Sequence, residues 1–579
     1  MNGPQVTLYM PRRFRTDEQG TSQMMPVELL ALAGPLLESG YGVQIVDANL
    51  QQGPLDQLLE ACRGSLCLGI SCILGHQIID GLQAARQVRK RYPDLPIVWG
   101  GWFPSVMPAL FLEEGVADLV VIGQGEVTFL EVVDRLARGE TIEQTPGLAF
   151  RTDGRVQYTP RRKICELEEL PPMPFSLLDY DTYQRSDPRV PAVQYFWSAA
   201  KNRKWPKEDI RLFWYLTSWG CPNNCGFCCS AGVTERRWTA LSPKRILDDL
   251  EPLTVENRID AVGFCDANFL VSRKRILELC RMKQDRRMGF YWQASADPTT
   301  IVRMNGSELE TLSESGCYCL FVGAESGAQA TLKTIRKGHE PVENERSAEL
   351  LLRHRITPIL SYIVGVPGEE PDSVRQTLDQ CRRIKARHPN AIVAIFHYLP
   401  LPGSGLYEAS VEAGFVPPTS LEGWAEVGEA SYYAGPTFDN LRRSHEKEVT
   451  RLRYMYFHAV ELPWQKEKLT LAEKFLRQTS IVRLRYRLLA LPLEFWAVKA
   501  GTRFIDAVSK RVLRPLRSRV GRTARRKEED RLAGIQGKGI PVGRLEAGGH
   551  PLHPSSPCEI ECEPHPRRKV RARWRPWNP

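Results

Sequence analysis

Residues 221–229 read Cys-Pro-Asn-Asn-Cys-Gly-Phe-Cys-Cys, directly after the apolar run Arg-Leu-Phe-Trp-Tyr-Leu-Thr-Ser at 211–218. Cys221, Cys225 and Cys228 have the spacing C-x3-C-x2-C on one short loop behind a candidate strand. Three thiolates from one loop can each take one iron of a cubane [4Fe–4S] cluster, leaving the fourth iron for a small molecule. Gly220 and Gly226 let the backbone curl closely around such a group. A structural zinc site asks for four protein ligands, typically in paired C-x2–4-C or histidine motifs. Cys229 adjoins Cys228, which makes tetrahedral closure awkward, and no second C-x2-C pair follows within ~30 residues. The loop therefore reads as an iron–sulfur site.

Outward from this loop, strands and helices alternate over 206–410. The candidate strands are 211–218, 260–267, 290–296, 317–324, 359–366 and 392–399. Six strand–helix units predict a partial (β/α)6 barrel, two units short of a closed one. Residues 1–145 alternate in the same way, with apolar runs at 6–10, 43–48, 66–73, 96–101 and 117–125. That pattern predicts a doubly wound parallel sheet covered on both faces, with its ligand at the carboxyl ends of the strands. Asp47, Ser71, Gly100, Gly101, Gly123 and Gly125 fall there. Residues 146–205 read as a connector, 411–530 as a helical C-terminal region and 531–579 as a disordered tail of glycine, proline and arginine. The fold class is α/β.

Further motifs follow the cysteine loop in order. Phe264-Cys265-Asp266-Ala267-Asn268-Phe269, Gly323-Ala324-Glu325-Ser326-Gly327, Gly365-Val366-Pro367-Gly368-Glu369 and Pro400-Leu401-Pro402-Gly403-Ser404 each close a candidate strand. Together with C-x3-C-x2-C, this series resembles the radical S-adenosylmethionine (SAM) superfamily. The resemblance implies a cluster whose unique iron binds the amino and carboxylate groups of SAM. Reductive cleavage then gives methionine and a 5′-deoxyadenosyl radical that abstracts hydrogen from substrate. It makes Asp266 and Asn268 candidates for the SAM amino group, Glu325 for the ribose hydroxyls, and Gly365 for a close approach to adenine. Gln293 and Ser295, on the third strand, are candidate polar contacts to SAM. Asp266 and Asn268 also suit a plain turn at a strand end, and Gln293 and Ser295 plain lining of a barrel.

The first 145 residues resemble the cobalamin-binding domain carried by one large radical SAM class. Its members include anaerobic Mg-protoporphyrin ester cyclases and cobalamin-dependent methyltransferases. On that resemblance Ile70-Ser71, Trp99-Gly100-Gly101 and Gly123-Gln124-Gly125-Glu126 cradle a nucleotide tail, with Ser71 as a hydrogen-bonding group. The sequence has no D-x-H-x-x-G, so the expected cobalamin lacks a histidine from that motif. His76 could lie near the lower face of the corrin, although a helix start is its plainer role. The implied reaction is methylation of an unactivated carbon, one SAM supplying the methyl through cobalamin and a second being cleaved. The alternative is radical cyclisation, oxidation or rearrangement of a tetrapyrrole or lipid without net methyl transfer. The same resemblance implies a low-potential electron donor such as flavodoxin or ferredoxin, and a small-molecule or lipid-like substrate.

Composition narrows the remaining classes. Of 579 residues 42% are hydrophobic and 25% charged, the balance of a soluble globular protein of two or three domains. Neither a signal peptide nor an apolar run of about 18 residues is visible, so a cytoplasmic protein is expected. The fifteen cysteines read as reduced thiols and metal ligands, not as a disulfide framework. Cys317 and Cys319 alternate on one strand and face one side, which suits barrel packing first and a role toward substrate second. The net charge of +10 is concentrated in 509–531 and near the C-terminus. No nucleic-acid partner is expected, because the chain lacks the extra cluster cysteines and trailing RNA-binding module of radical SAM enzymes that act on RNA. An intact cysteine loop argues against a cobalamin sensor without catalysis. Residues 488–501, Leu-Leu-Ala-Leu-Pro-Leu-Glu-Phe-Trp-Ala-Val-Lys-Ala-Gly beside arginines, read first as a helical cap and second as a peripheral membrane contact.

Overall fold

The computed structural model describes residues 4–13, 24–50, 53–183, 199, 211–256, 259–432 and 471–486. Strands β1 (Gln5–Met10), β2 (Gly42–Asp47), β3 (Ser65–Ser71), β4 (Ile97–Gly100) and β5 (Leu119–Val121) are parallel in the order β2-β1-β3-β4-β5. Their apolar runs are near-continuous because helices cover both faces. On one face Leu29, Ala33 and Leu36 of helix Val27–Glu38 and Phe129 and Val132 of helix Glu126–Arg138 meet Val6, Leu8, Val98 and Val121. On the other, Leu58, Ile78, Leu82 and Phe111 from three helices meet Tyr9, Ile70, Trp99 and Val120. Strand order reverses between β1 and β3, which opens a crevice at their carboxyl ends.

The sheet extends beyond residue 145, where the sequence suggested a connector. β6 (Leu148–Thr152) and β7 (Arg155–Tyr158) form a hairpin that pairs antiparallel with β5. Its turn is Asp153-Gly154, both with positive φ (49° and 74°), the backbone that two-residue hairpins need and Asp-Gly supplies. The signal is present in the sequence but is only two residues long.

The second sheet holds six parallel strands in the order β15-β14-β13-β12-β11-β8. They are β8 (Leu212–Tyr215), β11 (Ala261–Phe264), β12 (Tyr291–Ala296), β13 (Cys317–Glu325), β14 (Thr357–Val364) and β15 (Ile392–His397). β8 and β15 are not paired, so the barrel is partial. Two intervening helices start with reciprocal caps, Asn305 with Glu308 and Glu340 with Glu343. β9 (Ser218–Gly220) and β10 (Trp238–Ala240) form a small antiparallel pair around the cysteine loop. Cys317 and Cys319 are fully buried within the barrel core.

Of the expected helical C-terminal region, helices Leu421–Tyr432 and Leu471–Tyr486 are described. Residues 433–470 and 487–579, including 488–501 and the tail 531–579, lie outside the described residues, as do 184–198 and 200–205 of the connector and 206–210 at the start of the barrel segment. Helix Leu421–Tyr432 lies across helix His76–Arg91 of the N-terminal sheet. A Cβ added at Gly428 would come 2.7 Å from Gly75 Cα, so the two backbones nearly touch. Trp424 is fully buried, its ring centroid 5.7 Å from that of Phe103 and 6.1 Å from that of Phe415. Arg86 pairs with Glu422 at 3.0 Å and Glu114 at 3.7 Å. Among the described residues no helix is long and apolar enough to cross a membrane. Trp424→Ala is expected to cost about 3–5 kcal/mol. The checks are a lower urea midpoint and faster amide exchange along His76–Arg91.

Candidate functional site

The cysteine loop leaves β9 at Gly220, whose φ is +87° and whose hypothetical Cβ would lie 2.1 Å from Arg237 O. Only glycine can turn the chain there. Two backbone bonds then pin the loop: Gly226 N–H donates to Ile335 O, and Leu406 N–H donates to Gly226 O, each at 2.7 Å. Burial raises all three thiols, Cys225 and Cys228 to about 11, while the Lys337 ammonium opposes the rise at Cys221 and Cys225. Such ligands lose protons only as metal binds. Among the described residues no three His, Cys, Asp or Glu side chains converge tightly enough to enclose one metal ion. A cubane takes one thiolate per iron and leaves the fourth iron open, whereas structural zinc asks for four protein ligands, so three thiols on one loop suit a cluster better than zinc.

The expected SAM residues have unequal freedom, and Gln293 sits within β12, level with Gly263 and Cys319, short of the strand ends. Asp266 is buried, and its carboxylate accepts from the hydroxyls of Thr217 (2.8 Å) and Ser218, tying β11 to the strand that launches the loop. Burial raises its pKa, against those hydrogen bonds and the Arg275 charge. Its carboxylate is thus engaged within the protein. Asn268 is different: it is buried and its Oδ1 has no partner. Gln293 is buried with Oε1 accepting from the Tyr318 hydroxyl, and its Nε2 is unpartnered. Ser295 Oγ donates to Asp266 O at 2.6 Å. An orphaned buried acceptor and an orphaned buried donor are what a zwitterionic ligand would complete.

Glu325 ends β13 with a φ of +57°, and Lys337 Nζ lies 3.2 Å from its Oε1 and 3.5 Å from Asp297 Oδ2. Burial raises Glu325, with Lys337 opposing. Burial alone would lower Lys337, but Glu325, Cys225 and Asp297 outweigh it, so the ammonium stays charged. Gly365 N–H donates to Glu369 Oε2 at 2.6 Å, and the Thr331 hydroxyl donates to the other oxygen at 3.0 Å. Glu369 thereby staples the loop after β14. Lys337 and Asp297 were missed in the sequence, since neither stands in a motif or a periodic pattern.

Ser71, Gly100, Gly101, Gly123 and Gly125 converge on one cavity of about 450 Å³. Helix Val27–Glu38 contributes Glu28 and Leu32, and the far wall is Ser218-Trp219-Gly220 with Cys265 and Ala267. The cavity therefore reaches from the N-terminal sheet to the residue before Cys221. A Cβ at Gly123 would have no atom nearer than 3.7 Å and one at Gly100 none nearer than 3.8 Å, so side chains there would occupy room now open. Gly101 has another reason: its Cβ would strike Cys72 O at 2.5 Å, so it is required by the packing of β4 against β3. Glu126 also lines the cavity, and burial raises its pKa. The open glycine cradle fits a bulky nucleotide-bearing cofactor such as cobalamin. His76 begins its helix and is not part of the cavity wall.

The B12 binding domain family matches residues 20–133, and the radical SAM superfamily matches 215–381. A protein of Pyrococcus horikoshii named as an uncharacterized methyltransferase is 26% identical over 335 residues, 57% of this chain and 66% of that one. The anaerobic magnesium-protoporphyrin IX monomethyl ester cyclase of Synechocystis is 27% identical over 383 residues, 65% of this chain and 70% of the cyclase. The chain thus spans about two thirds of the length of these relatives. Among solved structures, the cobalamin-dependent S-adenosylmethionine radical enzyme OxsB with aqua-cobalamin bound has a TM-score of 0.60 at 16% identity, covering 87% of this chain and 76% of that one. That likeness concerns the fold.

Asn268→Ala is expected to weaken SAM binding about tenfold or more, the range of a hydrogen bond to a charged group. Equilibrium dialysis of SAM checks it, with cobalamin content expected to be unchanged.

Proposed function

We propose, for a chain that belongs to the radical SAM enzymes carrying a B12-binding domain, that it methylates an unactivated carbon of a small-molecule or lipid-like acceptor. The observation that carries this reading is the single cavity walled by Gly100 and Gly123 on one side and by Ser218-Trp219-Gly220 on the other. A molecule held there faces both the glycine cradle and the cysteine loop. When bound, the cluster supplies the electron that cleaves SAM to methionine and a 5′-deoxyadenosyl radical, and cobalamin supplies the methyl group.

The chain's own residues hold and orient. Cys221, Cys225 and Cys228 hold the cluster. Asn268 Oδ1 accepts from the SAM ammonium, and Gln293 Nε2 donates to an acceptor on the same ligand. Asp266 acts as a positioning residue by fixing Thr217 and Ser218 at the base of the loop. Lys337, paired with Glu325 and Asp297, keeps a positive charge beside the anionic cluster loop. Burial of these groups keeps water from a reactive radical. Ser71, Gly100 and Gly123 make room for cobalamin. The electron is delivered from outside by a low-potential donor of the flavodoxin or ferredoxin kind. Every described cysteine is a free thiol, which suits a cytoplasmic setting.

The likeness to the Synechocystis cyclase supports a second reading, radical cyclisation or oxidation without methyl transfer. Anaerobic reconstitution with iron, sulfide and hydroxocobalamin, followed by SAM and a strong reductant, separates the two. Mass spectrometry is expected to find 5′-deoxyadenosine and S-adenosylhomocysteine from the native protein, and no deoxyadenosine from the Cys221/Cys225/Cys228→Ala variant. Deoxyadenosine without S-adenosylhomocysteine would select the second reading. Equal deoxyadenosine from the variant would overturn the cluster assignment.

A further inference from the structure

A smaller cavity of about 210 Å³ adjoins the large one and shares Ile73 and Trp102 with it. Its other walls include Leu74, Phe103 and Val106 from the N-terminal part and Leu399 and Leu401 from the loop after β15. Cys229, the residue after the last cysteine of the loop, also lines it. No charged, hydroxyl or amide side chain is present in this wall. Ile73 is nevertheless 39% exposed, so apolar surface is left open to whatever enters.

Neither cofactor suits this space. SAM carries a sulfonium, an ammonium, a carboxylate and ribose hydroxyls, and the rim of a corrin carries amides. Each of these would lose hydrogen bonds to water against a wall whose only side-chain donors are the Trp102 indole N–H and the Cys229 thiol. A hydrocarbon gains by the same transfer. The position is also suitable, since Leu399 and Leu401 follow the carboxyl end of a barrel strand and Cys229 adjoins the cluster loop.

We infer that this cavity takes the apolar body of the methyl acceptor, whose reacting carbon then lies in the larger cavity. The acceptor is accordingly hydrocarbon-rich and uncharged over that portion. The inference rests on the methyl-transfer reading above.

The test uses the full chain loaded with cluster and cobalamin, and radiolabelled n-alkanols from butanol to dodecanol in equilibrium dialysis. Affinity is expected to rise about fourfold per methylene until the cavity is full, and then to level off. Leu401→Trp should bring the levelling to a shorter chain and Leu401→Ala to a longer one. Affinity independent of chain length, or levelling at the same length in all three proteins, would overturn the inference. Deoxyadenosine and S-adenosylhomocysteine are measured on the same wild-type sample after addition of SAM and reductant. If both form while affinity stays flat, the apolar acceptor alone is wrong; if S-adenosylhomocysteine does not form, the methyl-transfer reading beneath it falls as well.

Discussion

One glycine between two backbone hydrogen bonds sets the position of the chemistry. Gly226 donates to Ile335 and accepts from Leu406, so the cysteine loop is tied to the segments that follow β13 and β15. A Cβ at Gly226 would meet Leu406 Cγ at 3.2 Å and Ile335 O at 3.5 Å. Leaving a buried amide or carbonyl unpaired costs about 1–3 kcal/mol, so the loop cannot drift without a substantial penalty. The carboxyl end of the barrel is therefore a frame whose register fixes where three thiols point.

Around that frame, polar groups divide into those that brace the protein and those left without a partner in it. Asp266, Glu369 and the buried Arg275 hold the loops: Arg275 donates to Leu241 O at 2.7 Å and to Thr217 O at 3.0 Å. Asn344 reaches Ala324 O at 3.2 Å and Ser326 O at 3.0 Å, which supports the turn that carries Glu325. Asn268 Oδ1 and Gln293 Nε2 are buried without a partner. Of the neighbouring pair, the Asp266 carboxylate is engaged within the protein and Asn268 Oδ1 has no partner.

Late in its course the chain returns to its beginning. Helix Leu421–Tyr432, distant in sequence, seats Trp424 among Phe103, Tyr407 and Phe415 and brings Gly428 against Gly75. The glycine-rich strand ends of the first sheet and Trp219-Gly220 of the small β9–β10 pair share one space. The near-contact of two backbones leaves no slack at this junction.

Much of this was legible in the chain. The spacing of Cys221, Cys225 and Cys228, the glycine clusters after β4 and β5, and the apolar runs of both sheets are local patterns, and local patterns follow from the period of strands and the reach of a short loop. The hairpin at 148–158 was overlooked because its signal is a single Asp-Gly pair. Lys337 and Asp297 were not visible, because their meeting with Glu325 joins segments that only the barrel brings together. The sequence by itself determined the element types, the spacing of the three cysteines and the glycines at the strand ends. Only the tertiary structure decided that Asp266 is engaged, that Asn268 is unpaired, and that an apolar cavity opens beside the cluster loop. Hydrogen-bond pairing and burial are properties of neighbours in space, and a one-dimensional pattern does not contain them.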